Sequence, residues 1–481
     1  MKSKQILQIE QQGMHGTQQC LQQRIQPNVR QNINPNTKQS AKQSTKQSTK
    51  DSAKQSAKLT KRYIPILLVA VLMLGIASCA VTGCVSAKAI SSYDLTQGVA
   101  ASNDIIGRSV DAEFIGSVAD FSIDLFKESI TEKQNSLVSP LSVMLALAMT
   151  ANGADGETLS QMESLLGGGI ALGELNKYLY TYANGLPNEE TSKLSIANAI
   201  WFNGNESILQ VEPDFLQKNA DYYDAAAYRA VFDSKALKDI NNWAKTNTDG
   251  MIDKILDAIS ESDMLILLNA IAFDAEWQSV YYKDNVRKDD FTDITGTVKK
   301  VDFMYSNEYG YLDDGMATGF IKPYAGGGYS FAALLPNEDI SIDEYIDLLT
   351  GEGFLDTIRN VQHGTLVKAS MPKFEYDYEI KMNNALKSIG MPDAFDILKA
   401  DFNKMGRSPI GKLYIDYVIH KTYIYVDELG TKAGAVTVVA ASPGSIEPID
   451  QKTVHLDRPF VYAIIDNATN LPIFIGTLMT V

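Results

Sequence analysis

The stretch Val426-Asp-Glu-Leu-Gly-Thr-Lys-Ala-Gly-Ala-Val-Thr-Val-Val-Ala-Ala-Ser-Pro-Gly444 decides the fold. It leaves an alternating strand pattern, Asp416-Tyr-Val-Ile-His-Lys-Thr-Tyr-Ile-Tyr-Val426, and enters a run of small and β-branched residues that ends at Pro443-Gly444. On a pleated backbone Thr431, Ala433, Ala435 and Thr437 share one face, and Lys432, Gly434, Val436 and Val438 share the other. The first face is uniformly small, so it can lie over a packed core without overfilling it. The second turns Lys432 toward water. Composition alone allows a loose surface loop, but the alternation describes a loop able to become a strand.

Around this stretch the chain is ordinary globular material. Its 481 residues are 45% hydrophobic and 21% charged, which excludes a wholly disordered or fibrous protein. There are 43 Lys and Arg against 58 Asp and Glu, a net charge of −15. Residues 1–62 hold 12 of the basic residues and only two acidic ones, so residues 63–481 carry a net −25. An acidic body of this kind lacks the basic footprint that phosphate backbones require, and no nucleic-acid partner is expected. The three cysteines, Cys20, Cys79 and Cys84, precede the body, which therefore has neither disulfides nor thiolate metal sites. With four histidines in all, no multi-histidine metal centre and no cofactor are expected.

The pattern divides the chain into a Lys/Gln/Ser-rich tail over 1–62, an apolar segment over 63–85, a polar linker over 86–113 and one large domain over 114–481. Helical periodicity marks Phe121–Ile130, Leu141–Ala151 and Asp239–Thr246. The apolar run at 263–273 reads as a buried strand, 312–324 and 329–335 read as strands, and runs rich in Val, Ile, Tyr and Thr read as strands at 366–374, 413–426, 454–466 and 473–479. Gly326-Gly-Gly328 reads as the turn of a hairpin. Helices gather early and strands late, which predicts an α+β fold.

No active site emerges. A serine hydrolase needs a nucleophile, a base and an orienting carboxylate. The body offers only His363, His420 and His455 as bases, and it has no Gly-x-Ser-x-Gly elbow. His420 sits in an alternating strand and reads as a core group with its hydrogen bonds satisfied. The chain is not expected to be an enzyme.

Several separated motifs, in order, resemble those of the serpins. They are Asn135-Ser-Leu-Val-Ser139-Pro-Leu-Ser142, Asn198-Ala-Ile-Trp-Phe202, Asn269-Ala-Ile-Ala-Phe273 with Trp277, Met371-Pro-Lys373-Phe374, Asp427-Glu-Leu-Gly-Thr431 with Ala433, Arg458-Pro-Phe460 and Ile473-Phe-Ile-Gly476. The resemblance covers nearly all of residues 117–481. It implies a fold of three β-sheets and about eight or nine helices with an exposed reactive-centre loop. It also implies a suicide substrate: a serine protease cleaves the loop, and the loop then inserts into the main sheet and traps the acyl-enzyme. The alternatives are a non-inhibitory serpin and a surface-anchored binding protein.

Roles carry over by position. The hinge would be Glu428, Gly430, Thr431, Ala433, Ala435 and Thr437. Lys373 and Glu428 resemble the ion pair at the top of the sheet where insertion begins, the breach, with Trp277 packed beneath. Ser139, Ser142, Asn269 and His420 resemble the polar cluster under the sheet centre, the shutter. Counting Glu428 as the seventeenth residue before the cleaved bond places that bond at Gly444-Ser445, with Ile446 and Glu447 as alternatives because the segment from Ser445 to Pro459 is about four residues longer than usual. Asp274-Ala275 replace the family's Lys-Gly, Leu429 stands at a usually polar position, and Lys432 stands where Glu is common. No Lys or Arg lies in Ala433–Gln451, so elastase-like or subtilisin-like partners fit better than trypsin-like ones. A monomer is expected.

The resemblance extends to the front of the chain in the sense of a bacterial-type exported member. Tyr63–Val85 carries no charge, is long enough to span a bilayer and follows Lys61-Arg62, which would keep its start in the cytoplasm. Ile76-Ala-Ser-Cys79 and Val81-Thr-Gly-Cys84 both resemble lipoprotein signals, with lipid attached at Cys84 or Cys79. The body is expected at the outer face of the membrane, held by lipid or by a single span, or secreted. The 62 residues before this segment are far longer than an export signal's basic region, and translation starting near Leu59 removes the mismatch. Peptide mapping of the natural protein is then expected to recover nothing from residues 2–50.

Overall fold

In the computed structural model, residues 91–431 and 450–481 are described. Cys79, Cys84, Ala433, Ala435, Thr437, Gly444, Ser445, Ile446 and Glu447 lie outside the described residues. None of the described helices is long and apolar enough to cross a membrane.

Nine α-helices occur among the described residues: α1 (Ala112–Glu128), α2 (Pro140–Ala151), α3 (Gly156–Gly167), α4 (Leu172–Gly185), α5 (Pro213–Tyr223), α6 (Ser234–Asn247), α7 (Ile342–Leu348), α8 (Gly351–Arg359) and α9 (Asn383–Ser388). Asp111 caps α1 by accepting from the Phe114 amide, with Glu113 in the first turn and Lys127 in the last, as the helix dipole favours. Helix α2 starts on Pro140 and is buried along its whole length, which fits its nearly unbroken apolar sequence.

The strands form three sheets. The first takes β1 (Tyr93–Asp94), β5 (Ala226–Ala230), β3 (Ser192–Asn203), β6 (Leu265–Glu276), β15 (Gly430–Thr431), β14 (Tyr417–Val426) and β12 (Phe374–Lys381), in that order. The second runs β16 (Gln451–His455), β11 (Gln362–Pro372), β8 (Val298–Asp313), β9 (Ala317–Pro323), β10 (Tyr329–Pro336), β17 (Phe460–Asp466), β18 (Pro472–Leu478) and β2 (Ser136–Val138), with β7 (Val286–Thr292) paired to β8. The third pairs β4 (Gln210–Val211) with β13 (Gly406–Arg407).

At β6 the first sheet is buried on both faces. Leu265, Leu267, Ile271 and Phe273 of β6 join the main core over α2, while Ile266, Leu268 and Ala270 join a second core that α6 covers with Ile240, Trp243 and Ala244. That is why β6 reads as a continuous apolar run. The β12 edge alternates buried or half-buried residues with exposed Glu375, Asp377 and Glu379, charges that discourage pairing with another chain.

Two expected strands are each two. The run 312–324 breaks at Asp314, whose Oδ1 accepts from the Met316 and Ala317 amides, so β8 ends and β9 returns beside it. The run 454–466 breaks at Asp457–Pro459, where proline offers no donor to a ladder. The hairpin at Gly326–Gly328 joins β9 to β10. Part of the stretch read as linker is ordered: β1 pairs with β5, and the Ser91 and Ser92 amides both donate to Asp239 Oδ2 of α6 at 2.9 Å.

Gly476 of β18 faces β2 so closely that a Cβ there would lie 2.2 Å from the Ser136 carbonyl oxygen. Backbone cannot yield as a side chain can. Gly476→Ala is expected to cost about 1–3 kcal/mol, seen as a lower urea midpoint.

Candidate functional site

The site is a fork in the first sheet. Below, β6 and β14 are parallel neighbours, Ile266 to Ala270 against Tyr417 to Lys421. Above, Thr431 of β15 pairs with Ala275 of β6 on one side and Val426 of β14 on the other. One strand therefore separates β6 from β14 at the top, where they stand about 10 Å apart, twice the usual strand spacing.

The wedge is made by a tight turn. Asp427 Oδ1 accepts from the Leu429 amide at 2.8 Å and the Gly430 amide at 3.3 Å, and the Asp427 amide donates to the Gly430 carbonyl at 3.0 Å. Gly430 lies so close to β6 that a Cβ would meet the Ala275 carbonyl oxygen at 2.0 Å. Glycine is required there by crowding. Thr431 is buried, and its hydroxyl is 2.6 Å from the Tyr324 hydroxyl.

Three bonds hold the turn from one side. The Trp277 amide donates to the Leu429 carbonyl at 2.8 Å, the Tyr281 amide donates to the Glu428 carbonyl at 2.9 Å, and Trp277 Nε1 donates to the Asp427 carbonyl at 2.9 Å. The indole stacks on Tyr324 with ring centroids 4.5 Å apart. From the other side Lys373 Nζ bonds Glu428 Oε1, with both side chains about a quarter exposed. The structure thus brings Lys373, Trp277, Glu428, Gly430 and Thr431 into one cluster at the mouth of the fork.

The closed part carries a polar row across three strands. Register sets Asn198 of β3 opposite Asn269 of β6, and Asn269 opposite His420 of β14. Asn269 Nδ2 donates to Asn198 Oδ1 at 2.6 Å and also to Ser142 Oγ. His420 Nδ1 bonds Asn269 Oδ1 at 2.6 Å, and the Ser139 amide donates to His420 Nε2 at 3.0 Å. An amide donor on Nε2 leaves the proton on Nδ1, so the imidazole is neutral. Burial pushes its pKa down to about 3 from the ordinary 6.5. The buried Ser139 hydroxyl has no hydrogen-bond partner among the described residues. Ser139, Ser142, Asn269 and His420 therefore form one cluster under the strands, and Asn198 joins it. Asn198 stood in a quoted motif, but only the β3–β6 register places it beside Asn269.

Among the described residues, His455 builds no active site. His455 Nδ1 bonds Ser370 Oγ, and Asp289 Oδ2 lies 3.8 Å from Nε2. Ser370 is buried in mid-strand, with β8 on one side and β16 on the other, so no substrate carbonyl can approach it.

The site is thus a sheet that forks around Gly430–Thr431 and carries a buried polar row where the fork closes. The family model for serpins (serine protease inhibitors) matches residues 116–481, and the chain belongs to that family. The family is one of protease inhibitors and not of enzymes. The chain is similar to Serpin-Z7 of Hordeum vulgare, 30% identical over 71% of this chain and 89% of that protein. It is also similar to the solved structure of the thermophilic serpin tengpin in its native state, at 57% identity and TM-score 0.78 over 81% of this chain and all of that one. Against tengpin in its latent state the values are 55% identity and TM-score 0.70 over 78% of this chain and all of that one.

Removing the imidazole leaves the Ser139 amide and the Asn269 carbonyl oxygen buried and unpaired. His420→Ala is expected to lose about 1–3 kcal/mol and to polymerise or insert its loop early, read by urea unfolding and native gels. A neutral buried histidine also makes stability depend on pH. Between pH 6.5 and about 3 the unfolded state binds the proton that the folded state refuses, so stability is full above 6.5 and falls with acid. Urea midpoints at pH 7 and 4.5 are expected to differ less in His420→Ala than in the natural protein.

Proposed function

We propose that the chain is a one-shot inhibitor of serine proteases, with elastase-like or subtilisin-like targets, and that the cleaved loop enters the fork as a strand between β6 and β14. The observation that carries this reading is the orientation of Gly430–Thr431, antiparallel to both neighbours and aimed into the sheet. Continuing the register downward sets Ala433 against Phe273 and Ile424, Ala435 against Ile271 and Thr422, and Thr437 against Asn269 and His420. The small face meets the core, as the alternation requires. Thr437 brings a hydroxyl to the row above Ser139. Lys432 falls on the outer face, opposite Asp274.

Cleavage is the trigger because of chain length. Inserting the ten residues 432–441 reaches about 33 Å into the sheet. The return from 441 to 451 is ten Cα steps, about 33–36 Å at full stretch, which does no more than retrace that distance, yet Gln451 lies further off, paired through β16 with Leu366, seven residues before the Lys373 that meets Glu428. An intact loop is therefore kept out while β16 stays paired. Cutting at Gly444-Ser445, or at a bond beside Ile446 or Glu447, frees the end. The starting form is then held by a barrier, which is kinetic stability. The greater likeness to tengpin in its native than in its latent state supports an uninserted starting form.

In the same reading the protein is a monomer held at the outer membrane face by residues 63–85, through lipid on Cys84 or Cys79 or as a single span. The support is the charge-free run after Lys61-Arg62.

The full chain mixed with pancreatic elastase and with subtilisin is expected to yield a band that survives denaturing electrophoresis, and a released peptide starting at Ser445, Ile446 or Glu447. Ala433→Arg puts an unpaired guanidinium on the inward face, and is expected to be cleaved as fast while forming no such band. Cleavage of the natural protein with neither a band nor a gain in thermal stability would favour a non-inhibitory serpin.

A further inference from the structure

Lys322 of β9 is 1% exposed and Glu308 of β8 is 6% exposed. Lys322 Nζ donates to Glu308 Oε1 at 2.8 Å and to the Ser279 carbonyl at 3.0 Å. It lies 4.3 Å from the Tyr281 ring centroid and 5.4 Å from that of Trp277, within reach of both ring faces. Ser306 Oγ donates to Glu308 Oε1 at 2.6 Å. Apart from Glu308, everything the cation touches here belongs to the five residues Trp277–Tyr281. Those residues supply the three donors that hold the hinge turn. A buried ion pair gains little stability over an apolar pair of equal volume, so stability does not account for this one. Its position does.

We propose that Lys322 and Glu308 are a positioning pair, which locks Trp277–Tyr281 against the hinge turn and keeps the first rung of the inserting strand formed before cleavage. The proposal rests on the loop-insertion reading above. A strand that grows from a rung already in place avoids the closure cost of starting one. Without the lock the turn is free to leave the fork, insertion after acylation slows, and deacylation releases more protease.

The test uses the full chain and the double variant Lys322→Met/Glu308→Leu, which removes both charges at similar volume. The second-order rate of reaction with elastase or subtilisin is expected to stay unchanged, and the melting temperature of the uncleaved protein to stay within about 3 °C. The number of inhibitor molecules consumed per protease trapped is expected to rise at least threefold. An unchanged ratio overturns the proposal. If the double variant does not fold, Glu308→Gln takes its place, with a smaller rise expected and an unchanged ratio again overturning it. If the natural protein traps no protease, the inhibitor reading fails separately. The readout then becomes the rate at which loop-nicked protein gains thermal stability. A slower gain in the variant supports the lock, while an equal rate, or no gain in either protein, overturns it.

Discussion

The rest of the structure depends on one constraint: β6 and β14 must be neighbours at the bottom of the sheet and strangers at the top. Thr431 keeps them apart above, and the bond between His420 and Asn269 joins them below. Neither condition comes from backbone pairing alone. A parallel ladder left to itself would close to the end, so the top is filled by a rung that a turn, an indole and an ion pair hold in place. The bottom is closed by a parallel ladder with Ile266, Leu268, Tyr417 and Ile419 packed in one core, and the His420–Asn269 bond adds a polar tie at the fork end of that ladder.

The chemistry of the two ends differs for a physical reason. The upper cluster mixes a partly exposed ion pair, Lys373 with Glu428, and backbone bonds from Trp277 and Tyr281. Groups near water of this kind exchange partners at small cost. The lower row is buried. Each of its bonds is worth more there, and a lost partner costs more. A neutral His420 suits that role, because a charged imidazole could not remain buried without a counter-ion.

Much of this was legible in the sequence. Of the alternating stretch after Val426, Gly430 and Thr431 form a strand between β6 and β14, and the apolar run at 263–273 described a strand buried on both faces. Ser139, Ser142, Asn269 and His420 were named together, and they meet. What escaped were features created by register and side-chain reach. Asn198 joins the row only because β3 sets it opposite Asn269. The breaks at Asp314 and at Asp457–Pro459 were hidden by β-rich residues on both sides. Lys322 and Glu308 look like surface charges on alternating strands, yet both are buried, with Trp277 and Tyr281 packed near the ammonium.

Hydrogen exchange across the fork tests the central claim most directly. Amides of Ile271–Phe273 in β6 and Thr422–Tyr425 in β14 flank the path that the loop would take. After cleavage of the loop by subtilisin, the account predicts that exchange in these two segments slows by orders of magnitude, while the outer strands β1 and β5 change little. Equal exchange before and after cleavage would mean that the loop does not enter between β6 and β14, and would contradict the account.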